Sequence, residues 1–203
     1  EKYIIAARKK IEPDIQCIGE ESSEEGDSSR PTTLKRYWCI DPLDGTKEFI
    51  NERPEFTVNI ALVEDGYPVL GVIYAPALGM LYMGGLKDGS FRVDNDGRWT
   101  KLPIYDDKRP FTVVISRMHP TKGREESFLE CLSKGREVEV KLLGSSLKFC
   151  MGADGSADIY FRDGRTMFWD SAAGHIIAKA AEAEVIEWQT GRELSYDNDT
   201  LEN

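Results

Sequence analysis

The residues best placed to do chemistry are Asp41-Pro42-Leu43-Asp44-Gly45-Thr46. Asp41 follows the aromatic and β-branched run Arg36-Tyr37-Trp38-Cys39-Ile40, which reads as a strand. Pro42 biases Asp41 toward an extended conformation. Asp44 comes three residues later, so both carboxylates can converge at the strand's carboxyl edge, where ligands of α/β sheets tend to bind. Gly45 and Thr46 then offer backbone amides at the start of a helix, a favourable place for a phosphate, and Thr46 adds a hydroxyl. Two carboxylates beside a phosphate cradle suit a hard divalent cation with oxygen ligands. Taken alone, the hexapeptide is equally a surface turn.

Two further acidic positions bear on that choice. Gly19-Glu20-Glu21 closes the short apolar run Ile15–Ile18. Trp169-Asp170-Ser171-Ala172-Ala173-Gly174 leads from an aromatic segment into a small-residue helix expected over about 171–183. Asp170 stands at the start of that helix, where an aspartate ordinarily serves as an N-cap. Such a carboxylate can also be aimed at a metal.

Gly-Glu-Glu, then Asp-Pro-Leu-Asp-Gly-Thr, then Trp-Asp-x-Ala-Ala-Gly, in this order, resembles the inositol monophosphatase superfamily of metal-dependent phosphomonoesterases. The resemblance spans essentially the whole chain. Lys47-Glu48-Phe49, Phe56-Thr57-Val58-Asn59-Ile60-Ala61-Leu62, Gly71-Val72-Ile73-Tyr74-Ala75-Pro76 and Gly144-Ser145-Ser146-Leu147-Lys148-Phe149-Cys150 look like its 3'(2'),5'-bisphosphate nucleotidase branch. The resemblance implies an αβαβα sandwich of the inositol monophosphatase/fructose-1,6-bisphosphatase kind, an α/β fold here lacking part of its N-terminal helical layer. It implies hydrolysis of the 3'-phosphate of adenosine 3',5'-bisphosphate to AMP by water, with two or three Mg²⁺ ions and with lithium sensitivity. Glu20, Asp41, Asp44 and Asp170 would be the metal carboxylates, and Leu43 would add its backbone carbonyl. Gly45 and Thr46 would hold the scissile phosphate, with Thr46 also touching the attacking water. Ser145, Lys148 and Arg162 match positions near the nucleotide and its second phosphate, His119 matches a residue of the same pocket, and Asp170 also faces substrate. Inositol monophosphatase, inositol polyphosphate 1-phosphatase and a non-catalytic metal- or phosphate-binding homologue are the alternatives. Family members carry a Thr-x-Ala-Asp motif ahead of the position matching Glu1 and a further strand after the position matching Asn203. The 203 residues are therefore expected to be a piece short at both ends, with an incomplete site.

The elements that must position these groups follow from periodicity and punctuation. A helix is expected over 1–11, an exposed polar loop over 21–33 and a helix starting near Gly45. Strands are expected at 56–63, 69–74 and 80–83, with turns at Glu64-Asp65-Gly66, Asp88-Gly89 and Asn95-Asp96-Gly97. Beyond the polar stretch 105–110, strands at 112–116, 138–143 and 157–160 alternate with helices near 123–134, 146–153 and 171–183, an α/β pattern. This divides the chain into a metal-binding lobe (1–108) and a C-terminal α/β lobe (109–203), both parts of one phosphatase domain.

Composition narrows the class. The 26 basic and 36 acidic residues leave a formal charge of −10, which disfavours a nucleic-acid polymer as partner. A small phosphorylated substrate would then need local metals, Lys, Arg or helix N-termini. The four cysteines show no Cys-x-x-Cys or zinc-like spacing and read as reduced core thiols of a cytoplasmic protein. His175, on the apolar helix, reads as structural. No transmembrane run is present. A homodimer is compatible with the family.

Overall fold

The computed structural model describes residues 1–24, 34–106, 108–117, 123–198 and 200–203. The chain begins with α1 (Lys2–Lys9), β1 (Gln16–Gly19) and α2 (Glu20–Glu24). It continues through β2 (Arg36–Asp44), α3 (Thr46–Ile50), β3 (Thr57–Glu64), β4 (Tyr67–Ala75), β5 (Met80–Gly85), β6 (Gly89–Val93) and β7 (Trp99–Leu102). These seven strands form one sheet in sequential order, with β1 parallel to β2 and every later neighbour antiparallel. The second half runs β8 (Phe111–Ser116), α4 (Arg124–Ser133), β9 (Val138–Leu143), α5 (Leu147–Asp154), β10 (Ile159–Tyr160) and α6 (Phe168–Ala180). Its strands form a parallel sheet in the order β10-β8-β9. Alternating strand and helix make parallel pairing possible, because parallel neighbours require a crossover.

The helix α6 packs across the larger sheet, against β2 to β6, and α5 packs on α6 and toward the smaller sheet. The close approach of α6 depends on missing side chains. A Cβ on Gly71 of β4 would stand 2.5 Å from Ile176 Cγ2, and one on Gly84 of β5 would stand 2.7 Å from the Ile177 Cα. Ile176 and Ile177 are fully buried there, each worth roughly 1.5–3 kcal/mol relative to exposure. Strand alternation sends Leu70, Tyr74 and Trp99 to the opposite face of the sheet, where they stay exposed.

Three expectations change. The strand before the hexapeptide does not stop at Ile40 but runs through Asp44, because Asp41 and Asp44 still pair with β3. The expected loop at 21–33 starts helically: Glu20–Glu24 forms one turn, stapled by the Glu1 carboxylate, which accepts the Glu21 and Ser22 amides at 2.8 and 3.4 Å. Residues 25–33 lie outside the described residues. Finally, only Cys39 and Cys150 are core thiols; Cys17 is half-buried and Cys131 is exposed on α4, since short amphipathic elements leave one face wet. His175 is buried on α6, as expected of a structural histidine.

Candidate metal and phosphate site

The geometry starts from a slip in one ladder. Asp41 pairs with Asn59, and Asp44 pairs with Thr57, so three steps along β2 match two along β3. Regular alternation would put Asp41 and Asp44 on opposite faces. The extra residue of this bulge returns them to the same side. Proline fits here because a bulge leaves an amide unpaired. The local bonds then fix the turn: the Leu43 amide donates to Asp41 Oδ1 at 2.9 Å, and the Thr46 hydroxyl donates to the Leu43 carbonyl at 3.2 Å. Gly45 sits at φ +85°, where a Cβ would be 3.1 Å from the Glu55 carbonyl and 3.2 Å from Ser145 Cβ. Glycine is the residue that meets both demands.

The helix α6 brings the third carboxylate. It starts at Phe168, so Asp170 is not the N-cap expected from the sequence but lies within the first turn. Its Oδ2 accepts the Met167 amide at 2.8 Å, satisfying a helix-end donor and turning the other oxygen outward. Asp41, Asp44 and Asp170 each place one carboxylate oxygen so that all three lie within 4.8 Å of one another. Glu20 stands outside that trio, yet close enough for its charge to act on both Asp41 and Asp170.

Electrostatics explains what such a cluster lacks. Burial, then the charges of Asp44 and Glu20, push Asp41 up to about 10. Burial and Asp44 push Asp170 up to about 7. Buried like charges hold protons unless a cation offsets them. Three hard carboxylates and the second lone pair of the Leu43 carbonyl fit Mg²⁺, which favours oxygen donors and keeps part of its water shell.

A cleft of about 260 Å³ opens beside the trio. Gly45, Thr46, Ser145, Lys148, Arg162 and Asp170, all named from sequence, line it together. Lys148 is buried rather than a solvated clamp. Burial drives its ammonium down to about 8, against the opposing pull of Asp44, and it donates to the Ser145 carbonyl. Ser145 adopts φ +50°, a left-handed conformation uncommon outside glycine, found where a site dictates backbone shape. His119 lies outside the described residues. A larger cavity, about 440 Å³, opens between Tyr105, Arg109 and Glu182, but none of the three carboxylates lines it and Arg109 is already gripped by Asp158 on both nitrogens. Chemistry rather than volume marks the site.

Sequence reasoning missed Asn59, Ser146 and Glu48. Asn59 Nδ2 faces Asp44 Oδ2, Ser146 Oγ and the Trp169 carbonyl at 3.3, 2.9 and 3.5 Å. Among the described residues its buried Oδ1 has no partner, a cost of about 1–3 kcal/mol. Two of the atoms facing Nδ2 can only accept, so turning the amide over would set oxygen against oxygen. The available signal was the pair of polar residues Thr57 and Asn59 at the inward positions that open an otherwise apolar run over 60–63. Glu48 is buried beside the cleft, its carboxyl filling the space that a Cβ on Gly144 would take.

Residues 1–202 match the inositol monophosphatase family. The chain belongs to that family. It is 44% identical over 193 residues to the 3'(2'),5'-bisphosphate nucleotidase CysQ of Salmonella typhimurium, covering 95% of this chain and 74% of that protein. It is 41% identical to the protein of the same name from Escherichia coli strain K12, with the same coverage. The crystal structure of CysQ from Bacteroides thetaiotaomicron superposes with a TM-score of 0.81 at 36% identity, over 95% of this chain and 76% of that one. Mycobacterium tuberculosis SuhB superposes with a TM-score of 0.71 at 25% identity, over 96% and 74% of the two chains. The expected α/β architecture of the inositol monophosphatase kind is thus the one observed. No helix among the described residues is long and apolar enough to cross a membrane.

Proposed function

We propose that this family member is a Mg²⁺-dependent phosphomonoesterase that removes the 3'-phosphate of adenosine 3',5'-bisphosphate, giving AMP and phosphate. The supporting observation is convergence: a trio of carboxylates, two of which (Asp44 and Asp170) line a cleft that Lys148 and Arg162 line as well. The first group suits cations at a scissile phosphate, and the second suits a further anionic group on the same small molecule. The relatives named for bisphosphate nucleotidase activity favour that substrate over an inositol phosphate.

Asp41, Asp44, Asp170 and the Leu43 carbonyl would hold the ions, with Glu20 adding charge from α2. Bound there, Mg²⁺ would polarise the phosphoryl group and make water a better nucleophile at neutral pH. The chain's own groups do the positioning. The Gly45 and Thr46 amides cradle the transferred phosphoryl oxygens, and the left-handed Gly45 lets the backbone approach them. The Thr46 hydroxyl spends its proton on the Leu43 carbonyl, so its lone pairs can accept a hydrogen from the attacking water and aim it. Lys148, Arg162 and Ser145 would hold the distal phosphate and orient the nucleotide.

The test is phosphate release by the full chain with Mg²⁺ over adenosine 3',5'-bisphosphate, AMP and inositol 1-phosphate. Turnover of the bisphosphate well above the other two is expected. Release from inositol 1-phosphate alone would move the protein to the inositol branch. Mg²⁺ binding without turnover of any substrate would make it a non-catalytic homologue.

A further inference from the structure

Ser146, just ahead of α5, touches two of the three metal-site residues with one atom. Its hydroxyl oxygen lies 2.6 Å from Asp44 Oδ2 and 2.7 Å from the Asp170 backbone carbonyl. Asp44 comes from β2 and Asp170 from α6, elements more than a hundred residues apart in sequence. A single hydroxyl therefore spans the gap that determines how far apart the two carboxylates stand. The hydroxyl has one proton, and the Asn59 amide, 2.9 Å away, donates to its oxygen. That leaves the proton free for Asp44 or for the Asp170 carbonyl. Asp44 stays anchored in either case, because the Ser146 amide also donates to Oδ2 at 2.6 Å. Thr57 and Asn59 add longer contacts at 3.4 and 3.3 Å. Every hydrogen bond that the Asp44 side chain accepts from the described residues falls on Oδ2. Oδ1 accepts none of these bonds.

Asn59 is 1% exposed and Ser146 2%, so solvent does not compete for these bonds. Asn59 also reaches the Trp169 carbonyl, one residue before Asp170. The bracket thus grips β2 and the first turn of α6 at once.

We propose that Asn59 and Ser146 are positioning residues that set the cation affinity of this site, by fixing the spacing of Asp44 and Asp170 and the direction in which Asp44 Oδ1 points. The proposal rests on the metal-site reading above. Removing groups that orient metal ligands typically weakens metal binding ten- to hundredfold.

The test titrates Mg²⁺ alone into the full chain by calorimetry, for the natural protein, Ser146→Ala, Ser146→Thr and Asn59→Leu, with circular dichroism as a check on folding. Ser146→Ala and Asn59→Leu are expected to bind Mg²⁺ about ten- to hundredfold more weakly. The Mg²⁺ concentration for half-maximal activity should shift in parallel, while KM for substrate at saturating Mg²⁺ stays put. Ser146→Thr, which keeps the hydroxyl, should recover most of the affinity. Folded variants that bind Mg²⁺ within about twofold of the natural protein would overturn the proposal; a tenfold loss is only 1.4 kcal/mol, well within calorimetric resolution. If Asn59→Leu fails to fold, Ser146→Ala decides the matter, since it deletes one oxygen. Absence of Mg²⁺ binding by the natural protein would overturn the metal site itself, and this proposal with it.

Discussion

Loading the carboxylate trio with Mg²⁺ should expel protons. Without a cation, Asp41 is pushed up to about 10 and Asp170 up to about 7, in each case first by burial and then by neighbouring carboxylates. At pH 7 the first is protonated and the second is about half so. If both ligate as carboxylates, roughly one and a half protons leave per loaded site. Calorimetric titrations in buffers of different ionisation enthalpy measure this number as the slope of apparent heat against buffer heat. A slope between one and two is expected at pH 7, with apparent affinity climbing steeply from pH 6 to pH 8. The same protons affect stability. Asp170 binds its proton more tightly folded than unfolded, so its contribution to metal-free stability is fully present below about pH 4 and is lost as pH rises toward 7. A rise from the ordinary 3.8 to about 7 corresponds to a loss on the order of 4 kcal/mol across that window. Saturating Mg²⁺ should recover it, so the difference in Tm with and without metal should widen from pH 5 to pH 8. A proton slope near zero, or a metal-induced gain in Tm that shrinks with pH, would refute the assignment of Asp41 and Asp170 as ligands.

Lys148, lowered to about 8 by burial, should lose its charge above that pH; KM for a bisphosphate should then rise from pH 8 to pH 9.5, and Lys148→Gln should raise KM and abolish the rise. Gly71→Ala should be strongly destabilising, by about 1–3 kcal/mol, because the new Cβ would lie 2.5–2.6 Å from Ile176 Cγ2 and the Ala173 carbonyl; thermal melting measures this. Asp158 accepts both Arg109 nitrogens and the Thr112 amide at the start of β8, so Asp158→Ala should cost about 1–2 kcal/mol. Because none of those bonds reaches the trio, calorimetric Mg²⁺ affinity should be unchanged.

The strands and helices were legible because their signals are local. The expected strand at 138–143 coincides with β9, and the start of α3 at Thr46 follows from Gly45. The expected helix around Asp170 starts three residues late, since Phe168 and Trp169 read as an aromatic segment leading into the helix, whereas both are buried within its first turn. The pairing of Asp41 with Asp44 was legible as a motif but not as a mechanism. Period-two alternation alone separates them, and the bulge that reunites them depends on where β3 pairs. Asn59 and Ser146 were out of reach for a similar reason. Each is an ordinary polar residue by type, and what it does follows from atoms more than eighty residues away in sequence.

The same small residues that close the core also bring the site together. Gly71 and Gly84 let α6 lie directly on the sheet, where Ala173 sits beside Gly71, and Gly174 keeps the helix narrow where Phe149 of α5 packs against it, 2.4 Å from where a Gly174 Cβ would be. A bulkier residue at Gly71 or Gly84 would push α6 off the sheet that carries Asp41 and Asp44. Asp170 would move with it, and Asp41 and Asp44 would lose the third oxygen of the trio. The Trp-Asp-x-Ala-Ala-Gly run therefore combines two demands in one stretch: the aspartate supplies a ligand, and the alanines and glycine set how closely it approaches the other two. For that reason the distance between Asp44 and Asp170 depends on core packing as much as on the Ser146 bracket. A packing change on α6 should reach metal affinity through the helix's position, whereas Ser146→Ala should reach it with the helix in place.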